Sequence, residues 1–318
     1  MKITVVGCGR WGSFIANYLA GIGKEVTLYG KESSETMAEL MRTRANKLLT
    51  LHESIRLSTD LSEAIRRAEL AVISVPSQSL RSVAKEMKSV GYRSDVVLCM
   101  KGLEIETGKR LTEVAAEELD ERSRVAVWIG PGHVQEFTRG IPNCMVIDSE
   151  SDGLRSLLVD EFSSSLIRFY YGTDLIGNEL GAAAKNVIGI AAGMLDGMGL
   201  STLKGALMSR GTREVARLIR AAGGNELSAY GLCHLGDYEA TVFSPFSHNR
   251  AFGEAVIRGE SFDKLAEGHY TVRALTSLAE RLEVELPICR TVEDVLYRAA
   301  DPRTALSALF ERSLKSEF

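Results

Sequence analysis

Gly7, Gly9 and Gly12 stand in G-x-G-x-x-G spacing inside the opening stretch Met1-Lys-Ile-Thr-Val-Val-Gly-Cys-Gly-Arg-Trp-Gly12. That spacing suits a loop laid against a pyrophosphate. The first glycine permits a tight turn, the second lets the backbone approach the phosphates, and the third lets a helix pack on a sheet. A helix starting there offers free N–H groups and the positive end of its dipole. Lys185 is the second chemical candidate. It lies in Glu179-Leu-Gly-Ala-Ala-Ala-Lys-Asn186, one of the most apolar helical segments of the chain. Burial lowers a lysine pKa toward the range useful for proton transfer; a lysine snorkelling from a helix edge is the plainer alternative. Lys31 follows the strand Val26-Thr-Leu-Tyr29, where a dinucleotide site meets the adenosine ribose. A lysine there pairs with a 2′-phosphate and favours NADP, unless Lys31 and Glu32 are only a solvated pair. A third stretch, Gly231 to Thr241 with Ser244 to Arg250, collects Gly, Asp, Thr, Ser, Asn and Arg between helices. Such a loop supplies phosphate donors, or merely caps and turns. His234 and His248 lack a third partner at metal-ligand spacing, so no metal is assigned.

The elements around these residues alternate. Ile3–Val6 reads as a strand, Ser13–Ala20 as a helix and Glu25–Tyr29 as a strand. A helix over Glu35–Leu49, a short strand at Ile55–Leu57, a helix at Leu61–Ala68 and a strand at Leu70–Val75 follow. Then come a helix at Leu80–Val90, a strand at Asp95–Met100, a helix at Arg110–Leu119, and strands at Val125–Ile129 and Asn143–Ile147. This alternation implies a mostly parallel sheet with helices on both faces. Ligands then lie beyond the carboxyl ends of the strands, where Gly7–Gly12, Gly30–Glu32, Pro76–Gln78, Lys101–Gly102 and Gly130–His133 should converge. From about Leu175 strand signals nearly vanish. Gly177–Met194, Leu203–Ala222, Phe252–Arg258, Tyr270–Leu282, Pro287–Arg298 and Arg303–Leu314 have helical spacing. The expected division is an α/β domain over 1–174 and an all-helical domain over 175–318.

At 318 residues the chain has room for two such domains. Hydrophobic residues make up 45% and charged residues 25%, an ordinary globular balance. A net charge of -4 gives no global field for nucleic acid or an anionic membrane. Five scattered cysteines without a C-x-x-C pair suggest small buried side chains in a reducing compartment. The chain starts directly with strand residues, and no apolar run is long enough to cross a membrane. A cytoplasmic enzyme without a signal peptide is the expectation.

The chain also resembles the NAD(P)-dependent sn-glycerol-3-phosphate dehydrogenases over nearly its whole length. The resemblance rests on Gly7–Gly12, Lys101-Gly-Leu-Glu-Ile-Glu-Thr107, Gly130-Pro-Gly-His-Val-Gln-Glu136, Arg139-Gly-Ile-Pro142, Ala184-Lys-Asn186 and Asp196-Gly197. Arg210-Gly-Thr-Arg-Glu214, Gly231-Leu-Cys-His-Leu-Gly-Asp237, Ser247-His-Asn-Arg250, Glu267-Gly268 and Leu286-Pro-Ile-Cys289 continue it. It implies a Rossmann-type N-terminal domain and a C-terminal domain like that of 6-phosphogluconate dehydrogenase. It implies reversible reduction of dihydroxyacetone phosphate to sn-glycerol 3-phosphate with NAD(P), feeding phospholipid synthesis; Lys31 makes NADP rather than NAD the expected cofactor. Lys185 becomes the acid/base at C2, with Asn186, Asp237 and Lys101 in the catalytic group. Lys101, Gly130, Gly132, Lys185, Asp237, Thr241, Ser247, His248 and Asn249 become substrate contacts. Gly7, Gly9, Arg10, Trp11, Gly12, Lys31, Pro76, Lys101, Val134, His248, Leu265 and Glu267 become cofactor contacts. The implied partner is a small phosphorylated three-carbon substrate, with a homodimer as a possible assembly. Three departures stand out. The family usually has Ser-Arg-Asn-Arg where this chain has Ser247-His-Asn-Arg250, and Ser or Thr where it has Gly132. It also has a longer, asparagine-bearing turn at Met198–Thr202. These keep open a related NADP-dependent hydroxyacid or ketoacid reductase, and more remotely a non-catalytic dinucleotide sensor.

Overall fold

The computed structural model describes residues 1–311. Its first half is built on an eight-stranded sheet. The strands are β1 (Lys2–Val6), β2 (Glu25–Tyr29), β3 (Arg56–Ser58), β4 (Leu70–Ile73), β5 (Asp95–Leu98), β6 (Val125–Ile129), β7 (Asn143–Ser149) and β8 (Ile167–Tyr171). Their order is β3-β2-β1-β4-β5-β6-β7-β8, and every pairing is parallel except β6 with β7. Strands covered on both faces need apolar side chains in both directions, so β4 (Leu-Ala-Val-Ile) is buried throughout and β1 from Ile3 onward. The covering helices are α1 (Arg10–Gly21), α2 (Glu35–Thr43), α3 (Leu61–Ile65), α4 (Leu80–Ser89), α5 (Leu111–Glu118), α6 (Val134–Phe137) and α7 (Asp152–Phe162). One core, around Ile15, Leu19, Trp128 and Phe162, fills one face; another, around Ile73, Leu80, Met87 and Val114, fills the other. Strand order reverses at β1/β4, which opens a crevice there.

The helical half holds α8 (Leu175–Gly197), α9 (Lys204–Ala221), α10 (His248–Arg258), α11 (Glu267–Arg281), α12 (Pro287–Tyr297) and α13 (Pro302–Phe310). α8 is its axis and is buried from Glu179 to Leu195. α10 crosses it at backbone contact. A Cβ on Gly193 would meet the Arg250 carbonyl oxygen at 1.9 Å, and one on Gly253 the Ile190 oxygen at 2.1 Å. This crossing holds the start of α10 beside the middle of α8, where Lys185 lies.

Several boundaries differ from the sequence reading. The helix expected over Glu35–Leu49 stops at Thr43, because Arg44 turns left-handed (φ 55°) and its guanidinium donates to the carbonyls of His52, Glu53 and Ile55. β8 and α7 carried no expectation. β8 exposes Arg168, Tyr170 and Tyr171, so it lacks the continuous apolar run of its neighbours. The end of the Arg303–Leu314 helix, 312–314, lies outside the described residues. Among the described residues, no helix is long and apolar enough to cross a membrane. Cys8, Cys99, Cys233 and Cys289 are buried.

Candidate active site

Lys185 lies midway along α8, 7% exposed, at the floor of the cleft between sheet and helices. Its Nζ is 2.5 Å from Asp237 Oδ2 and 3.0 Å from Thr241 Oγ1. Two short irregular turns bring those partners in. Leu235–Asp237 is 3-10 helical and Glu239–Phe243 is π-helical, an uncommon geometry that recurs at functional sites. The Thr241 hydroxyl donates to the Asp237 carbonyl at 2.8 Å, which leaves its lone pair for Lys185. An ammonium has three donors; two are placed here, and the third remains for a substrate oxygen. Burial pushes the Lys185 pKa down to about 7, against the raising effect of Asp237.

Lys101 follows β5 and reaches the same carboxylate. Its Nζ is 2.7 Å from Asp237 Oδ2 and donates to the Gly130 carbonyl at 2.5 Å. Two lysines therefore share one carboxylate oxygen, and with Lys185 protonated the cluster carries a net positive charge in a buried pocket, which attracts an anion. Asp237 Oδ1 is buried without a partner. Asn186 donates to the Lys101 carbonyl at 3.0 Å and accepts from Asn249 at 3.0 Å, while Asn249 Oδ1 accepts from the Gly268 N–H at 2.9 Å. This amide relay braces α8, α10, α11 and the Lys101 segment together. Ser247 caps α10, its hydroxyl accepting from the Arg250 N–H at 3.3 Å. Arg250 is turned away, onto Asp196 at 2.7 Å.

The crevice beyond β1 and β4 fits a dinucleotide. A Cβ on Gly7 would lie 2.2 Å from the Ser74 carbonyl oxygen, and one on Gly12 1.9 Å from the Gly7 oxygen, so both positions admit only glycine. At Gly9 a Cβ would meet nothing within 4 Å, which leaves room for phosphates to reach the backbone. α1 has no side-chain cap and no acidic residue in its first turn, so its N–H groups and dipole face the crevice. Trp11 packs on Phe14 and Phe137, with ring centroids 5.3 and 6.1 Å apart. Val134 is buried and Leu265 is half-exposed at 45%. Lys31 is exposed just past β2. Across the cleft, Glu267 Oε1 and Oε2 accept from the Ser77 N–H and hydroxyl at 3.1 and 2.5 Å, directly after Pro76; burial raises the Glu267 pKa.

His248 stands with this cofactor-side group. Its Nδ1 lies 3.1 Å from the Leu265 carbonyl and its Nε2 3.1 Å from the Arg10 guanidinium. A carbonyl only accepts and a guanidinium only donates, so His248 is neutral here, with its proton on Nδ1. Burial and Arg10 both lower its pKa. Gly132 has φ +140°, and a Cβ on it would strike the Phe137 ring at 2.4 Å. A hydroxyl-bearing residue therefore has no place at 132.

Two family models match the chain. The N-terminal part of the NAD-dependent glycerol-3-phosphate dehydrogenases covers residues 2–154, and their C-terminal part covers 174–307. The chain belongs to the NAD-dependent glycerol-3-phosphate dehydrogenase family. It is 34% identical over 329 residues to glycerol-3-phosphate dehydrogenase (NAD(P)+) of Thermoanaerobacter sp. (strain X514), covering 100% of this chain and 99% of the relative. The corresponding protein of Chlorobium phaeobacteroides (strain BS1) is 35% identical over 331 residues, with the same coverage. The crystal structure of glycerol-3-phosphate dehydrogenase from Coxiella burnetii superposes with a TM-score of 0.90 at 30% identity, covering 98% and 99% of the two chains. A ketopantoate reductase from Ralstonia eutropha JMP134 shares the fold, with a TM-score of 0.64 at 16% identity. As a family member the chain is an oxidoreductase of a nicotinamide dinucleotide.

Within this glycerol-3-phosphate dehydrogenase fold, the sequence reading passed over three side chains. Ser77 holds Glu267. Glu179, buried in α8, binds Arg110 at 2.8 Å and Thr112 at 2.5 Å, joining the two halves. His133, on the turn after β6, sets its ring edge-on to Phe246 at 5.6 Å and keeps a buried Nε2 without a partner. A lone histidine or serine in a turn has no periodic signal, so only the fold reveals these positions.

Proposed function

We propose that this chain interconverts sn-glycerol 3-phosphate and dihydroxyacetone phosphate, with Lys185 moving the proton at the C2 oxygen. The observation that carries this reading is the buried Lys185–Asp237–Lys101 cluster beside the dinucleotide crevice. A bound nicotinamide supplies or accepts the hydride at C2. The chain's own residues do the rest. Lys185 donates a proton to the developing alkoxide in reduction and removes it in oxidation. Asp237 and Thr241 fix its ammonium. Lys101 adds a second positive charge facing the substrate, and Gly130 holds Lys101. The substrate phosphate lies toward the N-terminus of α10, where the first-turn N–H groups and Ser247 favour an anion. Gly7, Gly9, Arg10, Trp11, Gly12, Pro76, Val134, His248, Leu265 and Glu267 border the dinucleotide.

Residues 1–174 act as the dinucleotide unit and 175–318 as the substrate unit, with the reaction between them. Exposed Lys31 supports a preference for NADP. The reading extends to a cytoplasmic enzyme that supplies glycerol phosphate for phospholipid synthesis. It also extends to a homodimer, for which a groove of about 1210 Å³, lined by apolar residues such as Leu207, Ile288 and Leu309 and by charged ones such as Arg213 and Arg217, offers a surface. Initial rates with dihydroxyacetone phosphate and each reduced cofactor test the core of it. Turnover with NADPH above NADH is expected. No turnover of this ketone, with turnover of an unphosphorylated 2-keto acid, replaces the reading with the related reductase activity.

A further inference from the structure

We propose that His133 selects the substrate by accepting a hydrogen bond at Nε2 from its C1 hydroxyl. This rests on the substrate assignment above and deepens it. His133 ends the Gly130-Pro-Gly-His turn, three residues after the carbonyl that holds Lys101. Its ring spans the cleft to the segment that carries Asp237 and Thr241. It meets Phe246 edge-on and lies close to the Ala240 backbone. Nε2 is buried without a partner, and it accepts in the tautomer that carries its proton on Nδ1. The charged groups acting on the ring are Glu136 from α6, Lys185 from α8 and Asp237 from the turn between α9 and α10. Burial outweighs both carboxylates and lowers its pKa, so the imidazole is neutral at physiological pH. A neutral ring that donates from Nδ1 has a lone pair at Nε2. The molecule therefore offers two buried acceptors without donors in this region, His133 Nε2 and Asp237 Oδ1.

Acceptors of this kind call for a ligand that brings hydroxyl protons. The phosphate and the ketone oxygen of dihydroxyacetone phosphate only accept. Its C1 hydroxyl is its one donor, and sn-glycerol 3-phosphate retains that hydroxyl. The C2 oxygen is placed at Lys185. Asp237 already binds Lys185 on that side, so C1 is assigned to the acceptor on the other wall of the cleft, His133. A carboxylate at C1 would set two acceptors against each other and leave Nε2 desolvated and unpaired. The same contact thus favours a terminal alcohol over a 2-keto acid. Gly132 cannot carry a side chain to do this, because Phe137 occupies the space.

The test compares dihydroxyacetone phosphate with hydroxyacetone phosphate, its 1-deoxy analogue, at saturating reduced cofactor. The wild type should prefer the hydroxylated ketone by about tenfold to a hundredfold in kcat/KM, as for a buried acceptor left unpaired. His133→Phe keeps the ring's bulk and removes the acceptor, so the two ketones should become nearly equal substrates. His133→Gln retains an acceptor and should recover part of the preference; it also serves if the Phe variant does not fold. A wild-type preference that survives both substitutions assigns the hydroxyl to another residue, with Asp237 Oδ1 first in line, and overturns the proposal. An equal loss on both ketones makes His133 structural and overturns it as well. Wild-type turnover of neither ketone brings down the substrate assignment itself, and this proposal with it.

Discussion

Lys185 shows how much one side chain's surroundings decide. With its pKa pushed to about 7, the amine is poised to exchange a proton near neutrality. Ketone reduction needs the ammonium, so its kcat/KM should fall as pH rises through about 7. Alcohol oxidation needs the free amine, so its kcat/KM should rise over the same range. Rates in both directions from about pH 5 to about pH 10, corrected for phosphate ionisation, check this; limbs running the same way would remove Lys185 from proton transfer. Lys185→Ala should lower kcat by about a hundredfold or more while cofactor affinity, measured by fluorescence titration, survives. Lys185 was legible in the sequence because a lysine inside an alanine-rich helix is conspicuous by itself. Its geometry was not. Asp237 lies in an irregular turn, and the Lys101 it binds is 136 positions away, so no spacing announces the pair. The resemblance placed these residues in one site but gave His133 no role; it set His248 beside both the substrate phosphate and the cofactor, and its ring is held between Arg10 and Leu265.

At the scale of elements, the glycine loop separates two duties that the sequence pattern presents together. Gly12 is required by packing and Gly9 by ligand space. Gly12→Ala would drive a methyl into the Gly7 carbonyl, a backbone atom that cannot swing away. Overpacking of this kind costs about 1–3 kcal/mol, which should lower Tm by roughly 3–10 °C. Gly9 has φ -65°, which alanine adopts without strain, and nothing within 4 Å of a Cβ. Gly9→Ala should therefore melt within about 2 °C of the wild type yet bind the dinucleotide at least about tenfold more weakly. Calorimetry and a binding titration on the two variants check the division; weakened binding with unchanged Tm in both would refute it. The parallel core strands were legible because burial on both faces forces unbroken apolar runs. β8 was not, since Arg168 and Tyr170 are exposed on one face and Tyr171 is exposed at its end. The end of α2 was hidden for another reason: an arginine that collects three loop carbonyls ends the helix where neither glycine nor proline marks it.

Across the whole molecule, a few polar bridges carry the sheet-based half onto the helical half around the cleft. Lys101 reaches Asp237, Asn186 reaches the Lys101 carbonyl, Arg10 reaches His248, and Glu267 takes both donors of Ser77. The first two lie at the Lys185–Asp237–Lys101 cluster and the last two beside the crevice beyond β1 and β4. Each half supplies one side of every contact, so reaction geometry depends on how the halves are docked. Glu267 is the bridge best suited to a test. Its carboxylate is held in a largely dry place by a fully formed pair of hydrogen bonds, and Ser77 is only 2% exposed. Glu267→Ala leaves the Ser77 N–H and the Ser77 hydroxyl proton without acceptors, a loss of about 1–3 kcal/mol. Because the bridge borders the cofactor crevice rather than Lys185, the loss should appear mainly as a cofactor KM raised about tenfold, with kcat changed by less than about threefold. Glu267→Gln keeps one carbonyl acceptor and should fall between the variant and the wild type. Steady-state kinetics with varied NADPH, set beside the melting temperature of each variant, decides the matter. A lower Tm with an unchanged cofactor KM would make the bridge a brace for the fold alone. A fall in kcat at constant KM would show that docking of the two halves acts on proton transfer at Lys185 instead.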